Sequence, residues 1–440
     1  MEIWGCQMNE HDAEIAAGII EEKGYLRTDE PEKADVILLY TCCVREKAEQ
    51  KALARIGVLR KIKDYNPSLQ LCVGGCLTQQ KDFAAQIKSH MPEVDLIFGT
   101  HNLPELGNLL EEAQRSHKTV VEIVDQRAYD DSQVPVTRNS NIKAYVNIIY
   151  GCNNFCTYCI VPHVRGRELS RKPHDILMEI EELEQAGYQE IMLLGQNVNS
   201  YGKDFQDRNY DFADLLQEIS ERTNIPRIRY MTSHPRDCND KLLLTLKSLP
   251  KVMPHFHMPV QAGSTDVLRR MNRGYTKESY LALIAKIKRD FPTASITTDI
   301  IIGFPGETEE DFLDTYEVLE QVRFDMAFTY LYSPRPGTTA AKMTESFIPE
   351  KVKKERFDRL LELQNRISLE VNKMQQDKIA QVLVEGYSKT DKEMLMGRTE
   401  QNKLVIFPGS KTLIGKIVPV RLENIQTWTI YGTLQIEGKA

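Results

Sequence analysis

The feature that most limits the fold of this chain is an alternation of short apolar runs with amphipathic helical patterns. Between residues 1 and 116, apolar runs of strand length recur near residues 3, 36–40, 71–73 and 96–98, and helical patterns separate them. Strands that alternate with helices form parallel sheets, because each helix carries the chain back across the sheet before the next strand begins. The sequence therefore predicts an N-terminal, flavodoxin-like parallel α/β domain over residues 1–116.

A second alternation follows a polar linker, predicted at residues 117–140, and contains six strands. The six predicted strands lie at residues 145–150, 190–194, 228–231, 255–258, 296–302 and 326–331. Six consecutive βα units curve into an open or closed parallel barrel. We therefore predict a (βα)6 partial TIM-type barrel, which forms a central domain over residues 141–376 together with a long charged helix at residues 349–376.

The pattern changes near residue 377, where short strands with turn residues between them replace the helical stretches. Several short strands within a small segment are typical of a closed all-β unit. The sequence predicts a small antiparallel β-barrel over residues 377–440.

The charge balance and the absence of long apolar runs bear on which partners and which location to expect. The 440 residues carry 56 Lys and Arg against 63 Asp and Glu, a balance that gives no general electrostatic preference for nucleic acid. No apolar run approaches the roughly 20 residues that span a bilayer, and Met1-Glu2-Ile3 lacks the basic start of a signal peptide. We therefore expect a cytoplasmic protein with no membrane partner.

The nine cysteines form an odd, clustered set, which in a reducing compartment indicates metal binding or catalysis rather than disulfides. Cys6, Cys42 and Cys76 each follow a predicted strand by one to three residues. The carboxyl ends of parallel strands meet at one edge of a sheet, so we expect these three side chains to lie close together. Spacing alone does not distinguish Cys42 from Cys43, or Cys76 from Cys72.

The sharpest motif is the C-x3-C-x2-C sequence of Cys152, Cys156 and Cys159, which lies directly after the first predicted barrel strand. Three closely spaced thiolates can bind three irons of a 4Fe-4S cluster and leave the fourth iron open to a small molecule. A zinc site completed by a distant residue such as His163 is the alternative, along with simple buried thiols. C-x3-C spacing is unusual for structural zinc, so the iron–sulfur interpretation is favoured.

This motif, with aromatic Tyr158 before its last cysteine, resembles that of the radical S-adenosylmethionine superfamily. Two later segments at barrel strand ends agree with the resemblance, at residues 193–197 and 303–307. In that superfamily, such segments hold the amino group and the adenine of the cofactor, and reduction of the cofactor by the cluster gives a 5'-deoxyadenosyl radical. The resemblance implies that the cofactor-binding residues are Tyr158, Gly195, Gln196, Asn197, Gly303 and Phe304.

The wider chain is similar to the methylthiotransferases within that superfamily. The similarity rests on residues 5–9 (GCQMN), 41–45 (TCCVR), 75–79 (GCLTQ) and 150–171. It implies a second, auxiliary 4Fe-4S cluster bound by Cys6, Cys42 and Cys76, a radical core and a C-terminal TRAM barrel. In one departure, Tyr40 stands where relatives usually have Asn before the Thr-Cys pair, so a hydrogen bond near the auxiliary cluster is missing or replaced.

The first and fourth of these segments resemble most closely the bacterial tRNA-modifying branch of the family. That branch inserts a methylthio group at carbon 2 of N(6)-isopentenyladenosine beside the anticodon of tRNA. One S-adenosylmethionine supplies the methyl group and a second is reduced to the radical, with an electron donor and a sulfur source that the sequence does not identify. The alternatives are methylthiolation of threonylcarbamoyl adenosine in tRNA or of a ribosomal-protein aspartate, and a non-catalytic iron–sulfur protein that binds RNA.

Two groups of basic residues are the candidates for contact with RNA. One follows the central cysteine motif, and the other shares the C-terminal barrel with Tyr387 and Phe407, a mixture suited to backbone contact and base stacking. The predicted RNA-binding residues are Arg165, Arg167, Arg171, Lys389, Arg398 and Lys403. The alternative for each group is a set of solvated or ion-paired side chains.

Overall fold

The computed structural model describes residues 1–43, 46–116, 118–125, 134–206 and 209–435, without the side chains of residues 46–48. Val44 and Arg45 of the second cysteine motif lie outside the described residues, as do parts of the predicted linker and the last five residues of the predicted C-terminal domain. Within these ranges, no helix combines the length and the apolar character needed to cross a bilayer.

The N-terminal region is a five-stranded parallel sheet. Its strands are β1 (Glu2–Ile3), β2 (Val36–Thr41), β3 (Gln70–Gly75), β4 (Leu96–Phe98) and β5 (Val120–Glu122). The helices between them are α1 (Gln7–Glu22), α2 (Glu46–Leu59), α3 (Lys81–His90) and α4 (Leu106–Ser116). Helices α1 and α4 pack on one face of the sheet and α2 and α3 on the other, so β2 and β3 are almost continuously apolar.

The strands of this sheet follow one another in chain order, β1-β2-β3-β4-β5, and all pairs are parallel. The predicted parallel α/β class is therefore confirmed, although flavodoxin itself has the strand order 2-1-3-4-5. Chain order makes β1, β2 and β3 direct neighbours. The residues that follow these three strands consequently lie at one edge of the sheet.

The central region contains two three-stranded parallel sheets that share one hydrophobic core. The sheets are formed by β6 (Lys143–Asn147), β9 (Glu190–Leu194) and β10 (Arg227–Tyr230), and by β11 (His255–His257), β12 (Ser295–Ile302) and β13 (Met326–Leu331). A parallel bridge between Ile228 and Val252 joins the two sheets into a partial barrel. The predicted strand at residues 145–150 is in fact two: β6 belongs to the barrel, whereas β7 (Ile149–Tyr150) pairs antiparallel with β8 (Leu169–Ser170).

Eight helices accompany the strands in the described part of the central region. They are α5 (Val161–Val164), α6 (Pro173–Gln185), α7 (Phe212–Arg222), α8 (Asp240–Ser248), α9 (Thr265–Arg270), α10 (Lys277–Asp290), α11 (Glu309–Val322) and α12 (Glu350–Lys373). Capping boxes at Asp211, Thr276 and Thr308 satisfy the first amides of α7, α10 and α11. Helix α12 buries Leu360 and Ile367 in the barrel core, as its apolar stripe predicts.

The C-terminal region is a closed five-stranded barrel. Its strands are β14 (Ile379–Tyr387), β15 (Met394–Arg398), β16 (Leu404–Pro408), β17 (Ile417–Ile425) and β18 (Ile430–Leu434). Four of the five pairs are antiparallel, but β16 and β18 are parallel, which corrects the prediction of a purely antiparallel barrel. The prediction of a small closed β-barrel is confirmed.

The C-terminal barrel packs against the amino ends of the central strands. Arg227, the first residue of β10, donates to the carbonyls of Arg398 and Gln381 at 2.8 and 2.7 Å. Arg229 donates to Thr399 and Glu400 at 2.7 and 2.8 Å. The C-terminal barrel therefore covers one end of the central barrel and leaves the carboxyl ends of the strands to the N-terminal region.

Candidate functional site

The first three candidate cysteines follow three neighbouring strands. Cys6 is the N-cap of α1, Cys42 follows the last residue of β2, and Cys76 follows the last residue of β3. Gly75 has a φ of +108°, and a Cβ atom there would lie 2.4 Å from the carbonyl oxygen of Thr41. A glycine is needed at this position because the two strand ends approach so closely.

The fourth cysteine of this edge, Cys43, is also in contact with the group. Its thiol forms a hydrogen bond with Cys76, and this bond, together with the nearby Arg165 cation, lowers the pKa of Cys76 to about 7 despite its burial. Cys72 lies within β3 in the core, and Cys238 lies half-buried against the core of the central barrel. Among the side chains that the structure describes, no three of His, Cys, Asp or Glu are arranged to hold one metal ion together.

A buried arginine from the central region reaches this edge of the N-terminal sheet. The Nε atom of Arg165 donates to the Cys76 sulfur at 3.2 Å, and Nη2 donates to Asn9 Oδ1 at 2.7 Å. The same Nη2 lies 2.6 Å from Asp12 Oδ2. Burial alone lowers the pKa of Arg165, but Asp12 and the thiols outweigh it and keep the guanidinium charged.

The residue that departs from the family pattern, Tyr40, contacts this ion pair. Its hydroxyl donates to Asp12 Oδ2 at 3.2 Å, and its ring packs in the core beside Phe98. The side chain of Asn9 donates to the carbonyls of Trp4 and Thr41, at 3.1 and 3.0 Å. Tyr40 therefore supports Asp12, and Asn9 holds together the backbone around the three strand ends.

The central cysteine motif forms a loop directly after β7. The Cys152 amide donates to Gly166 O at 3.1 Å, and the Thr157 amide donates to Met271 O at 3.0 Å. Phe155 has a φ of +46°, and Asn272 Nδ2 donates to its carbonyl at 3.1 Å. The loop is thus held in a strained conformation by the segment that follows α9.

A second buried arginine serves this motif. Arg273 Nη1 donates to the Cys156 sulfur at 3.3 Å, and Nη2 donates to Pro259 O at 3.0 Å. Burial raises the pKa of the Cys152 and Cys159 thiols to about 11 and about 12. Arg273 was not predicted from the sequence, since nothing distinguishes it there from the neighbouring Arg269 and Arg270.

The segment after β9 occupies the carboxyl end of the partial barrel. Gly195 is packed so closely that a Cβ atom would lie 2.4 Å from Ile149 Cγ2, and the Gln196 amide contacts the Met8 sulfur of α1. Asn197 donates to Asp237 Oδ2 at 2.6 Å and accepts from the His234 amide at 3.0 Å. The N-terminal region therefore covers this end of the barrel at Gln196.

The segment after β12 contributes a turn and an apolar ring. Gly303 has a φ of +75°, and its amide donates to the Glu307 carboxylate at 3.1 Å. Phe304 is fully buried in an apolar cluster that also includes Tyr158 as a partly buried member. The structure therefore brings together Tyr158 and Phe304, two predicted cofactor residues that are far apart in the sequence.

Several buried polar atoms at this end of the barrel have no hydrogen-bond partner within the described ranges. They are the amide atoms of Asn147, Asn199 Oδ1, Ser233 Oγ and His234 Nε2. Burial lowers the pKa of His234 to about 2, so its imidazole is neutral. Unsatisfied polar atoms are costly in a protein interior, and these belong to residues at or shortly after the carboxyl ends of β6, β9 and β10, as expected of a site for a polar cofactor.

The structure separates the predicted RNA-binding residues into two groups. Arg165 and Arg171 are buried, and Arg171 Nη1 donates to Glu179 at 2.7 Å. Lys403 contacts Asp325 and donates to Asn372 Oδ1 at 2.8 Å, which ties the C-terminal barrel to the central region. This placement does not support phosphate contact by these three side chains.

The other three predicted RNA-binding side chains remain predictions. Arg167 and Lys389 are exposed, and Arg398 is partly exposed. The guanidinium of Arg167 lies 4.2 Å from the ring centroid of Phe155, within the central cysteine loop. Tyr387 is exposed, whereas Phe407 is fully buried and is not available to stack on a base.

Three family models match the chain in separate parts. The Radical SAM superfamily model matches residues 146–319, the model of Uncharacterized protein family UPF0004 matches residues 1–99, and the TRAM domain model matches residues 375–434.

Proteins named tRNA-2-methylthio-N(6)-dimethylallyladenosine synthase are similar to this chain over nearly its full length. The protein from Desulforamulus reducens is 54% identical over 419 residues, covering 95% of this chain and 91% of that protein. The protein from Acetivibrio thermocellus is 52% identical over 431 residues, covering 98% of this chain and 89% of that protein.

A solved structure with a similar fold is that of the radical S-adenosylmethionine methyltransferase TsrM from Kitasatospora setae, with tryptophan substrate and a cofactor analogue bound. Its TM-score is 0.53 at 13% sequence identity, and the alignment covers 75% of this chain and 72% of that chain. At this identity the similarity concerns the fold alone.

Proposed function

The chain belongs to the radical S-adenosylmethionine methylthiotransferase family, and from this premise we propose that it methylthiolates carbon 2 of N(6)-isopentenyladenosine in tRNA. The names of its relatives at 54% and 52% identity support this substrate over threonylcarbamoyl adenosine or a protein aspartate. The family uses S-adenosylmethionine and two 4Fe-4S clusters.

The observation that carries the proposal is the short connection between the two groups of cysteines. The segment directly after Cys159 enters the N-terminal region, where Ile160 and Val164 pack with Cys76 and Cys43. The Thr100 hydroxyl donates to Val164 O at 2.7 Å and fixes this segment. Methylthio transfer needs a sulfur site and a radical site that face one substrate, and this packing brings the candidate ligands of both sites to one end of the barrel.

We assign the auxiliary cluster to Cys6, Cys42 and Cys76, and the radical cluster to Cys152, Cys156 and Cys159. Thiol sulfur is the donor that iron–sulfur clusters require, and each group offers three such donors. When bound, the radical cluster and S-adenosylmethionine supply a carbon radical, which the reaction needs because a C–H bond of an aromatic base is not acidic enough for a side-chain base.

The remaining contributions come from side chains of the chain itself. We assign the cofactor to the space bordered by Tyr158, Gly195, Gln196, Asn197, Gly303 and Phe304. Asn147 and Ser233 lie at this end of the barrel, and their unsatisfied atoms are suited to orient polar groups of the cofactor or substrate. Met8 and Met192 belong to a buried apolar cluster at the barrel opening, which helps to exclude water.

The domain boundaries that fit this proposal are 1–116 for the auxiliary cluster domain, 141–376 for the radical core and 377–440 for the TRAM domain, with a linker at 117–140. Exposed Arg167, Lys389 and partly exposed Arg398 are the proposed tRNA contacts. The reaction also requires an electron donor and a sulfur source, and we expect it to take place in the cytoplasm, where tRNA is found.

The test is mass spectrometry of tRNA nucleosides after anaerobic reaction of the iron-loaded protein with S-adenosylmethionine. We expect the 2-methylthio product from tRNA that carries N(6)-isopentenyladenosine and no product from tRNA that carries threonylcarbamoyl adenosine. Absence of S-adenosylmethionine cleavage by the reduced protein would instead support a non-catalytic iron–sulfur protein.

A matched pair of variants tests the ligand assignment at the N-terminal edge. Cys42→Ala should lose the auxiliary cluster, whereas Cys43→Ala should keep its iron, because the proposed triad is complete without Cys43. Iron analysis and electron paramagnetic resonance (EPR) spectra distinguish the two outcomes. Loss of iron from the Cys43 variant alone would reverse the assignment.

A further inference from the structure

We propose that Arg165 is a positioning residue that holds the Cys76 sulfur at the auxiliary cluster and, with Asp12, sets the reduction potential of that cluster. This inference rests on the proposed function for the identity of the cluster. It assigns to Arg165 a role different from the phosphate contact predicted from the sequence.

The contacts of Arg165 are directed at the cluster ligand and its supports. Nε donates to the Cys76 sulfur at 3.2 Å, while Nη2 donates to Asn9 and pairs with Asp12 at 2.6 Å. Both Arg165 and Asp12 are almost fully buried. The fork of the guanidinium thus fixes the sulfur relative to α1, the helix whose N-cap is Cys6.

The position of Arg165 in the chain links the two groups of cysteines. It lies six residues after Cys159, immediately beyond the short helix α5. The segment between them is packed by Ile160 and Val164 against the N-terminal region. A single short segment therefore starts at a proposed ligand of the radical cluster, Cys159, and ends at Arg165, which contacts a proposed ligand of the auxiliary cluster, Cys76.

The buried charges predict the direction of the effect on the potential. A cluster with three thiolates gains negative charge when it is reduced, so a nearby buried cation favours reduction and a nearby buried anion opposes it. Arg165 and Asp12 have opposite charges and lie at the same site. Removal of each charge should therefore shift the potential in opposite directions, which loss of packing alone would not do.

The test uses the full chain with Cys152, Cys156 and Cys159 replaced by Ala, so that only the auxiliary cluster remains. EPR-monitored redox titrations compare this parent with the same chain carrying Arg165→Gln, Arg165→Lys or Asp12→Asn. We expect a lower potential for Arg165→Gln, a higher potential for Asp12→Asn and a potential close to that of the parent for Arg165→Lys. Selective loss of the auxiliary cluster from Arg165→Gln, with retention in Arg165→Lys, would also support the proposal.

The matched control is Arg138→Gln, which removes a mostly buried guanidinium (side chain 11% exposed) between α1 and the central region. Within the described residues, Arg138 contacts Glu14 and Glu179 but no cysteine, so its removal should leave the potential of the auxiliary cluster unchanged. Equal potentials in all variants, or the same shift for Arg165→Gln and Asp12→Asn, would overturn the role of Arg165. A parent chain that binds no iron would instead show that the ligand assignment of the proposed function is wrong, and the role of Arg165 would fall with it.

Discussion

Both ends of the central barrel contain buried arginines, but their partners differ. At the carboxyl end, Arg165 and Arg273 donate to cysteine sulfurs at 3.2 and 3.3 Å. At the amino end, Arg227 and Arg229 donate to backbone carbonyls of the C-terminal barrel. The arginines at the two ends are similarly buried and carry the same charge. Neither property therefore shows which arginines serve catalysis and which stabilise the fold.

The difference lies in what each guanidinium satisfies. Buried backbone carbonyls need a hydrogen-bond donor in any protein. Arg227 and Arg229 therefore stabilise the interface between the central barrel and the C-terminal barrel. A thiol is a weak acceptor that does not require a buried cation, so donation by Arg165 and Arg273 to sulfur favours the proposed assignment of these cysteines to clusters. The comparison therefore predicts that substitutions at the carboxyl end of the barrel abolish catalysis. Substitutions at the amino end should instead lower the free energy of unfolding.

The largest effect should follow replacement of the central cysteines at the carboxyl end. In Cys152→Ala/Cys156→Ala/Cys159→Ala, iron should fall from about eight to about four per chain, since one of two four-iron clusters is lost. Cleavage of S-adenosylmethionine should be abolished. Iron analysis and chromatography of 5'-deoxyadenosine measure both, and retained cleavage would contradict the radical assignment.

At the amino end, Arg229→Met should destabilise the chain without altering its iron content. Arg229 pairs with buried Glu190 at 2.7 Å, and an unpaired buried charge costs about 3–5 kcal/mol. Urea unfolding followed by the fluorescence of Trp428 in a Trp4→Phe background reports on the C-terminal barrel.

The control for this variant is Arg359→Met, which breaks a more exposed ion pair with Glu309 and should cost less than about 1 kcal/mol. A change in iron content for Arg229→Met, with no change in stability, would show that the amino end of the barrel does not serve stability alone.

A smaller effect is expected for the outer surface of the C-terminal barrel. Lys389→Ala/Arg398→Ala should weaken tRNA binding several-fold, and each lost phosphate contact should reduce the slope of log K against log salt by about one. Filter binding at several salt concentrations measures both quantities. The control is Lys88→Ala, at an exposed position of α3. Unchanged binding in the double variant would show that these two side chains do not contact tRNA, and Arg167 would be the next residue to replace.

The smallest effect concerns a histidine near the amino end. Burial, with Arg229 nearby, lowers the pKa of His255 well below 6.5, so the folded protein keeps this imidazole neutral. The unfolded chain takes up a proton near pH 6.5, so this part of the stability is present above that pH and is lost as the pH falls below it. The slope is about 1.4 kcal/mol per pH unit for one proton.

In the variant His255→Gln, the free energy of unfolding should no longer decrease by this amount as the pH falls below 6.5. Urea midpoints measured between pH 5 and 8 for the two proteins test it. Parallel profiles would contradict a neutral buried His255.

The sequence by itself determined the parts that depend on local pattern. Alternating periodicity predicted the parallel α/β class and the partial barrel, because each βα unit is specified within a few tens of residues. The spacing of Cys152, Cys156 and Cys159 predicted an iron–sulfur site, since these three cysteines belong to one loop. Cys6, Cys42 and Cys76 were predicted to meet because strands in a parallel sheet end at a common edge.

Only the tertiary structure decided which charges meet these thiols. Arg165 and Arg171 have the same sequence character as exposed Arg167, yet both are buried in ion pairs. Arg273 reaches Cys156 across 117 positions of sequence, and Lys403 of the C-terminal barrel reaches Asp325 across 78. Periodicity reports which face of an element is apolar, but the partner of a buried charge is set by how distant elements pack, and that information is not local.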